Sequence, residues 1–326
     1  MIGPMAGRQG FENPWRHPRH RVLDVLRWKL GLGPGGRDRR GEGVAAPRRP
    51  LDPSLLAMPP AVGWRVVWLG HASFLLQGAG RSLLVDPVFS AHFAPVPVPG
   101  LRRRVEPPCM IGELPAIDGV LLSHGHYDHL DLPTLGRLPG EPWLLVPEGH
   151  GRWLERRGFR DVRECGWWGS CAPAPGLEVV ATPAQHFSAR GPWDWNRAHW
   201  CGWRIEGGGV SLWHAGDSGY CPAFRQIGER LGPVDLAMIP IGAYDPRWLM
   251  APMHLNPEEA VRVFLEVGAR RALAMHWGTF RLTDEPLDEP PRRLTDALAA
   301  AGIDDGRFRA VAVGEVVESA GAPRLT

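Results

Sequence analysis

From residue 64 onward the chain runs in short apolar stretches, each closed by Gly, Asp or Pro: 65–69, 73–77, 82–85, 119–123 and 143–147. They are rich in Val, Leu and Trp and too short for helices, so they read as strands. Helical spacing appears at 133–137, 149–157, 222–231 and 257–268. The last is the best marked, with Asn256 as N-cap, Pro257 in the first helical position and Glu258 and Glu259 in the first turn. Strands mixed with helices over a long chain predict an α/β layered domain.

Upstream the pattern differs. Leu23, Leu26 and Leu30 recur at helical spacing within 20–30, and Gly31 offers a C-cap. The stretch 31–60 is rich in Gly, Pro and Arg and cannot bury enough apolar surface to fold alone, which makes it an extended connector on the domain surface. The chain therefore divides into an N-terminal arm with a short amphipathic helix and linker (1–60), a folded domain (61–320) and a tail (321–326).

Charge sharpens this division. Net charge is +2, but residues 1–50 hold 11 Arg or Lys against 4 Asp or Glu, a local excess of +7 that leaves −5 on the remainder. The arm is thus suited to an anionic surface, and peripheral contact with the inner face of a membrane is expected. An acidic catalytic part argues against nucleic acid as a partner. With 44% hydrophobic residues the chain can fill a large core. No apolar run reaches the roughly 18 to 20 residues that span a bilayer, so the expected location is cytoplasmic. Five cysteines without close pairing fit a reducing compartment.

The chemistry concentrates in Leu121-Leu122-Ser123-His124-Gly125-His126-Tyr127-Asp128-His129. A β run delivers the chain into a tight loop with three imidazoles and a carboxylate in six residues. Neutral imidazole and carboxylate are ligands that suit Zn²⁺, and a set without thiolate leaves the metal acidic enough to act on water. Alternate residues of an extended loop point the same way, so His124 and His126 can grip one ion while Asp128 and His129 turn toward a second. His186, Asp217 and His276 each follow an apolar stretch, where α/β enzymes place reactive groups. Each of the three, taken alone, is an ordinary loop residue. No Gly-X-Ser-X-Gly elbow supports a serine nucleophile.

The motif His-X-His-X-Asp-His with later lone His, Asp and His resembles the metallo-β-lactamase superfamily, whose fold is a four-layer αββα sandwich. Longer runs are similar to the N-acylphosphatidylethanolamine-hydrolysing phospholipase D family: Trp68-Leu69-Gly70-His71-Ala72, Leu84-Val85-Asp86-Pro87, Pro183-Ala184-Gln185-His186, Ala215-Gly216-Asp217-Ser218-Gly219-Tyr220 and His276-Trp277-Gly278-Thr279-Phe280. Residues 239–248, Asn256 to Ala260 and, in the arm, Asn13-Pro14-Trp15 belong with them. Phe187 and Ala189 depart from that family's pattern.

The resemblance implies two zinc ions per chain, other divalent metals being able to substitute. His124, His126 and His186 would bind the first ion, Asp128, His129 and His276 the second, and Asp217 would bridge them. It implies a phosphodiesterase of phospholipase D type, releasing N-acylethanolamine and phosphatidic acid, with Asp128 and Asp217 as catalytic carboxylates. Asp86 looks like the carboxylate that orients a ligand histidine, and His71 and Asp131 are expected to do similar work. Tyr127 and His254 match substrate-contacting positions, His254 just before a helix N-terminus where an anionic head group is favoured. A homodimer is also implied. Two other readings stay open: a lactonase or esterase of the same fold acting on a small phosphorylated metabolite, and a non-catalytic metal-binding interaction module.

Overall fold

The apolar runs form strands, and they are apolar throughout because both of their faces are covered. In the computed structural model, which describes residues 10–15, 17–18, 22–34 and 41–319, β1 (Trp64–Gly70), β2 (Ser73–Gly78), β3 (Arg81–Val85), β4 (Gly119–Leu121), β5 (Trp143–Pro147) and β6 (Val162–Cys165) build one sheet. A second sheet contains β7 (Ser170–Ala174), β8 (Leu177–Thr182), β9 (Gly202–Gly207), β10 (Val210–His214), β11 (Val234–Pro240), β12 (Ala269–Met275) and β13 (Phe308–Arg309). The closing strand β14 (Val316–Ser319) returns to pair with β1.

Both sheets follow one plan. Pairing is antiparallel through β14-β1-β2-β3 and through β7-β8-β9-β10, then parallel through β3-β4-β5-β6 and through β10-β11-β12-β13. The parallel halves end at the same edge of the molecule, and there the loops can carry chemistry.

Seven helices, α1 (Val22–Lys29), α2 (Leu132–Leu135), α3 (Gly151–Glu155), α4 (Ala223–Leu231), α5 (Arg247–Met250), α6 (Pro257–Glu266) and α7 (Glu289–Ala300), complete the described chain. Strand alternation divides the interior in two. From β1, Trp64, Val66 and Trp68 join Trp203, Ile205 and Leu212 between the sheets, while Val67 and Leu69 pack on the other face with Leu135 of α2 and Leu154 of α3. Phe224, Val263 and Phe264 of α4 and α6 cover the second sheet. The result is the helix–sheet–sheet–helix order of the metallo-β-lactamase sandwich.

The expected capping of α6 is present: Asn256 Oδ1 accepts from Glu259 N at 2.9 Å, and Glu259 Oε2 accepts from Asn256 N at 3.1 Å. Helix α7 is absent from the sequence reading because Pro290 and Pro291 look like a break. They occupy its first turn, where no N–H partner is required.

The arm helix turns its leucine stripe outward. Helix α1 ends as its sequence suggests, with Gly31 at φ 72° and Leu32 N bonded to Arg27 O at 2.8 Å. Its leucines nevertheless face outward, Leu23, Leu26 and Leu30 being 63%, 50% and 64% exposed. The helix is held instead by Trp28, whose indole N–H donates to Asp284. His20 and Arg21 of the expected helix lie outside the described residues, as does the tail at 321–326. The connector is bonded to the domain: Ala46 N donates to Gly278 O at 3.0 Å, Arg49 N donates to Val313 O at 2.8 Å, and Leu51 and Leu56 are buried.

Candidate metal centre

Strand β3 is followed by Asp86, β4 leads into the histidine-rich loop, β10 is followed by Asp217 and β12 by His276. The parallel halves of the two sheets therefore deliver their C-terminal loops to one place. Three site residues pay in backbone strain for their positions, since His71, Asp86 and His276 are non-glycine residues at φ 53°, 43° and 62°.

Asp217 Oδ2 stands at the middle of the cluster. It lies 3.0 Å from His276 Nε2, 3.2 Å from His129 Nε2, and 3.8 Å from both His186 Nε2 and His254 Nδ1. On one side His124 Nε2 and His186 Nε2 approach His126 Nδ1 to 2.8 and 3.3 Å. On the other, Asp128 Oδ2 lies 2.9 Å from His71 Nε2, 3.7 Å from His276 Nε2 and 3.8 Å from His129 Nε2. Ligand atoms of His71, Asp128, His129 and His276 lie within 4.8 Å of one another, and so do those of His124, His126 and His186. All seven residues expected to hold metal thus converge.

For two of the rings the surrounding bonds fix which nitrogen is bare. His129 Nδ1–H donates to Asp86 Oδ2 at 2.7 Å, and His186 Nδ1–H donates to Met253 O at 3.0 Å, so both Nε2 lone pairs face the cluster. His129 Nε2, both ring nitrogens of His276 and Asp217 Oδ1 are buried without a hydrogen-bond partner. Such orphans are costly unless a group other than the protein's own side chains satisfies them. A divalent cation fits that need.

Electrostatics divide the cluster in the same way. Burial, then neighbouring imidazoles, holds His124 well below its usual range, and similar causes bring His126 to about 3 and His186 to about 4. These three are neutral, the form that ligates metal. Burial opposes charge on His129 and His276 as well, but the carboxylates outweigh it. Asp217, Asp128 and Asp86 lift His129 well above its usual range, and Asp217 and Asp128 lift His276 to about 9. The second half of the cluster demands positive charge.

Asp86 stands behind His129. Fully buried, it accepts from Ser123 N at 2.7 Å and Ser123 Oγ at 2.5 Å besides His129. His71 touches Asp128. Asp131 does not touch the candidate ligands: its carboxylate accepts from Ser90 N, Ser90 Oγ and Thr134 Oγ1, tying the loop after β3 to α2, because its place at the head of α2 turns it toward Ser90 and Thr134. Tyr127 donates its hydroxyl to Arg190 O at 3.2 Å. His254 Nδ1 is buried without a partner and joins His186 and Asp217 as a third cluster.

Several supports escape sequence reading. His214 Nε2–H donates to Ala72 O at 3.0 Å, and its Nδ1 accepts from Gly216 N at 3.1 Å, which sets the turn carrying Asp217. Asn13 of the arm donates to His186 O at 2.8 Å, and Phe11 stacks on His199 with ring centroids 4.4 Å apart. Phe187 lies between His126 and Trp195, which it stacks on at 4.4 Å. A lone polar residue among ordinary loop residues gives no signal for such roles; proximity alone reveals them.

Comparison with known proteins agrees with this geometry. Residues 81–277 match the model of the beta-lactamase superfamily domain. An uncharacterized Mycobacterium tuberculosis protein is 40% identical over 288 residues, covering 85% of this chain and 76% of that protein. A Caenorhabditis elegans N-acyl-phosphatidylethanolamine-hydrolyzing phospholipase D is 37% identical over 272 residues, covering 79% of this chain and 76% of that protein. Among solved structures, a metallo hydrolase from Ignicoccus hospitalis superposes with a TM-score of 0.60 at 22% identity, covering 78% of this chain and 97% of that one, a likeness of fold.

Proposed function

Because the chain belongs to the metallo-β-lactamase superfamily, in a family that includes N-acylphosphatidylethanolamine-hydrolysing phospholipases D, we propose that this metal-dependent hydrolase is a dinuclear zinc phosphodiesterase acting on N-acylphosphatidylethanolamine-like lipids. The observation that carries the reading is the pair of ligand clusters meeting at Asp217 Oδ2, with His129 Nε2 and His276 Nε2 left bare. His124, His126 and His186 would hold one ion, Asp128, His129 and His276 the other, and Asp217 would serve both. Bound divalent ions supply Lewis acidity and make a nucleophile of water near neutral pH.

The chain's own groups supply the rest. Asp128 Oδ2, backed by His71 Nε2 at 2.9 Å, is the acceptor for the proton that water gives up. His254, with its Nδ1 3.8 Å from Asp217 Oδ2, and Tyr127 would contact the phosphate in this reading. Phe187 and Trp195 form an aromatic wall beside His126, and Trp193 is 83% exposed next to it. Such a wall supports an amphiphilic substrate presented at an interface. No helix among the described residues is long and apolar enough to cross a membrane, and the outward leucines of α1 supply the peripheral contact in this reading.

The test uses purified protein with its metal measured by elemental mass spectrometry. N-acylphosphatidylethanolamine in mixed micelles should yield N-acylethanolamine and phosphatidic acid. Hydrolysis of a lactone or small ester by zinc-loaded protein that cleaves no phosphodiester would replace the lipid reading with the small-metabolite one.

A further inference from the structure

The histidine-rich loop carries five of the polar side chains discussed above in seven residues, and something must hold its backbone in shape. We propose that Arg190 is a positioning residue that clamps both ends of the loop 124–130; this rests on reading the cluster as a metal centre. Arg190 Nη1 donates to Gly125 O and to Leu130 O, each at 2.8 Å. One carbonyl follows His124 and the other follows His129. A single guanidinium nitrogen thereby fixes the chain on either side of His126, Asp128 and His129.

The side chain is itself held on every side. Its guanidinium lies 3.9 Å from the Tyr127 ring centroid and 5.2 Å from that of Trp153, whose own ring is covered by Arg157 at 3.7 Å. Asp194 accepts from Arg190 N at 3.0 Å and from Gly191 N at 2.8 Å, while Arg190 O accepts the Tyr127 hydroxyl. Gly125 N donates to Ser188 Oγ at 3.0 Å, a second tie between the same two loops. Inside the loop, His129 N and Leu130 N bond back to His126 O, so the loop is closed internally and clamped externally. Charge-assisted bonds to carbonyls are stronger than neutral ones.

The clamp joins the two halves of the first ligand set. His124 and His126 come from the loop after β4, whereas His186 and Arg190 share the loop between β8 and β9. Without the guanidinium, these segments keep the Gly125–Ser188 bond, the Tyr127 hydroxyl bond to the carbonyl of residue 190 and the Phe187 contact with His126, none of which holds Leu130 O, and the nitrogens that meet within 2.8 and 3.3 Å lose their registration. Tyr127 acquires a defined duty in this arrangement, as the platform and hydroxyl donor for the clamp.

Cobalt-substituted protein tests the inference, since the visible spectrum of Co²⁺ reports ligand geometry independently of activity. Arg190→Met keeps the length and apolar contact of the side chain without its donors. It is expected to lower Co²⁺ affinity in competition with a chelator by about 10- to 100-fold and to alter the spectrum. Arg190→Lys should fall between, because an ammonium can donate to both carbonyls yet cannot lie flat on Tyr127. If the Met variant does not fold, Arg190→Lys carries the test through a several-fold loss. Either variant, folded by thermal unfolding and showing wild-type affinity and spectrum, overturns the proposal. Wild-type protein that binds no divalent ion removes the metal reading and the clamp with it, which is a distinguishable failure.

Discussion

Asp86→Asn is the substitution that isolates orientation from packing. The carboxylate accepts three bonds, from Ser123 N (2.7 Å), Ser123 Oγ (2.5 Å) and His129 Nδ1 (2.7 Å), in a fully buried position. An amide of nearly identical shape has one acceptor and one donor. Turned one way, its NH₂ opposes the Ser123 N–H; turned the other, it opposes His129 Nδ1–H. A buried donor left unmatched costs about 1 to 3 kcal/mol, and the loss of charge assistance falls within that figure. The cheaper relief is for His129 to move its proton to Nε2, which occupies the lone pair aimed at Asp217. We therefore expect a variant that folds, melts a few degrees lower, and binds the second metal ion about 10- to 100-fold more weakly while the first set keeps its ion. Metal counting after dialysis against graded chelator, together with calorimetry, measures both quantities. An Asn variant retaining two ions at wild-type affinity would refute the claim that Asp86 sets the His129 tautomer.

Two further outcomes follow from the same geometry. In chelated protein, His276 is raised to about 9 and contributes stability that is complete below its unfolded value near 6.5 and lost as pH rises through 9, whereas His126 and His186, lowered to about 3 and 4, contribute stability that is lost as pH falls below 6.5. Its melting temperature should peak near pH 6.5, and zinc should flatten the alkaline side; a metal-free melting curve rising from pH 6.5 to 9 would contradict this. Asn13→Ala removes the bond to His186 O, worth about 0.5 to 1.5 kcal/mol, and should lower the melting temperature slightly and loosen the first ion more than the second. Equal loosening of both would show that the arm acts on the fold at large.

Local sequence was enough to announce much of this protein. The apolar runs at 65–69, 73–77, 82–85 and 143–147 can bury themselves only as covered strands, and Asn256 with Glu259 closes a helix start within four residues. The His124–His129 loop carries its ligands so densely that their chemistry needs no partner to be recognised. These features depend on neighbours in the chain, which is why they are legible there. Distance along the chain hides the rest. Asn13 reaches His186 across 173 positions, Arg190 reaches Leu130 across 60, and Asp131 turns from the histidine cluster to Ser90 because α2 begins beside it. Leucines at helical spacing in α1 foretold a helix but not its orientation, since spacing defines a stripe while only packing decides what the stripe faces. Residue types set which groups could bind a cation; the folding of two parallel half-sheets onto a common edge decided that Asp217 would stand among them.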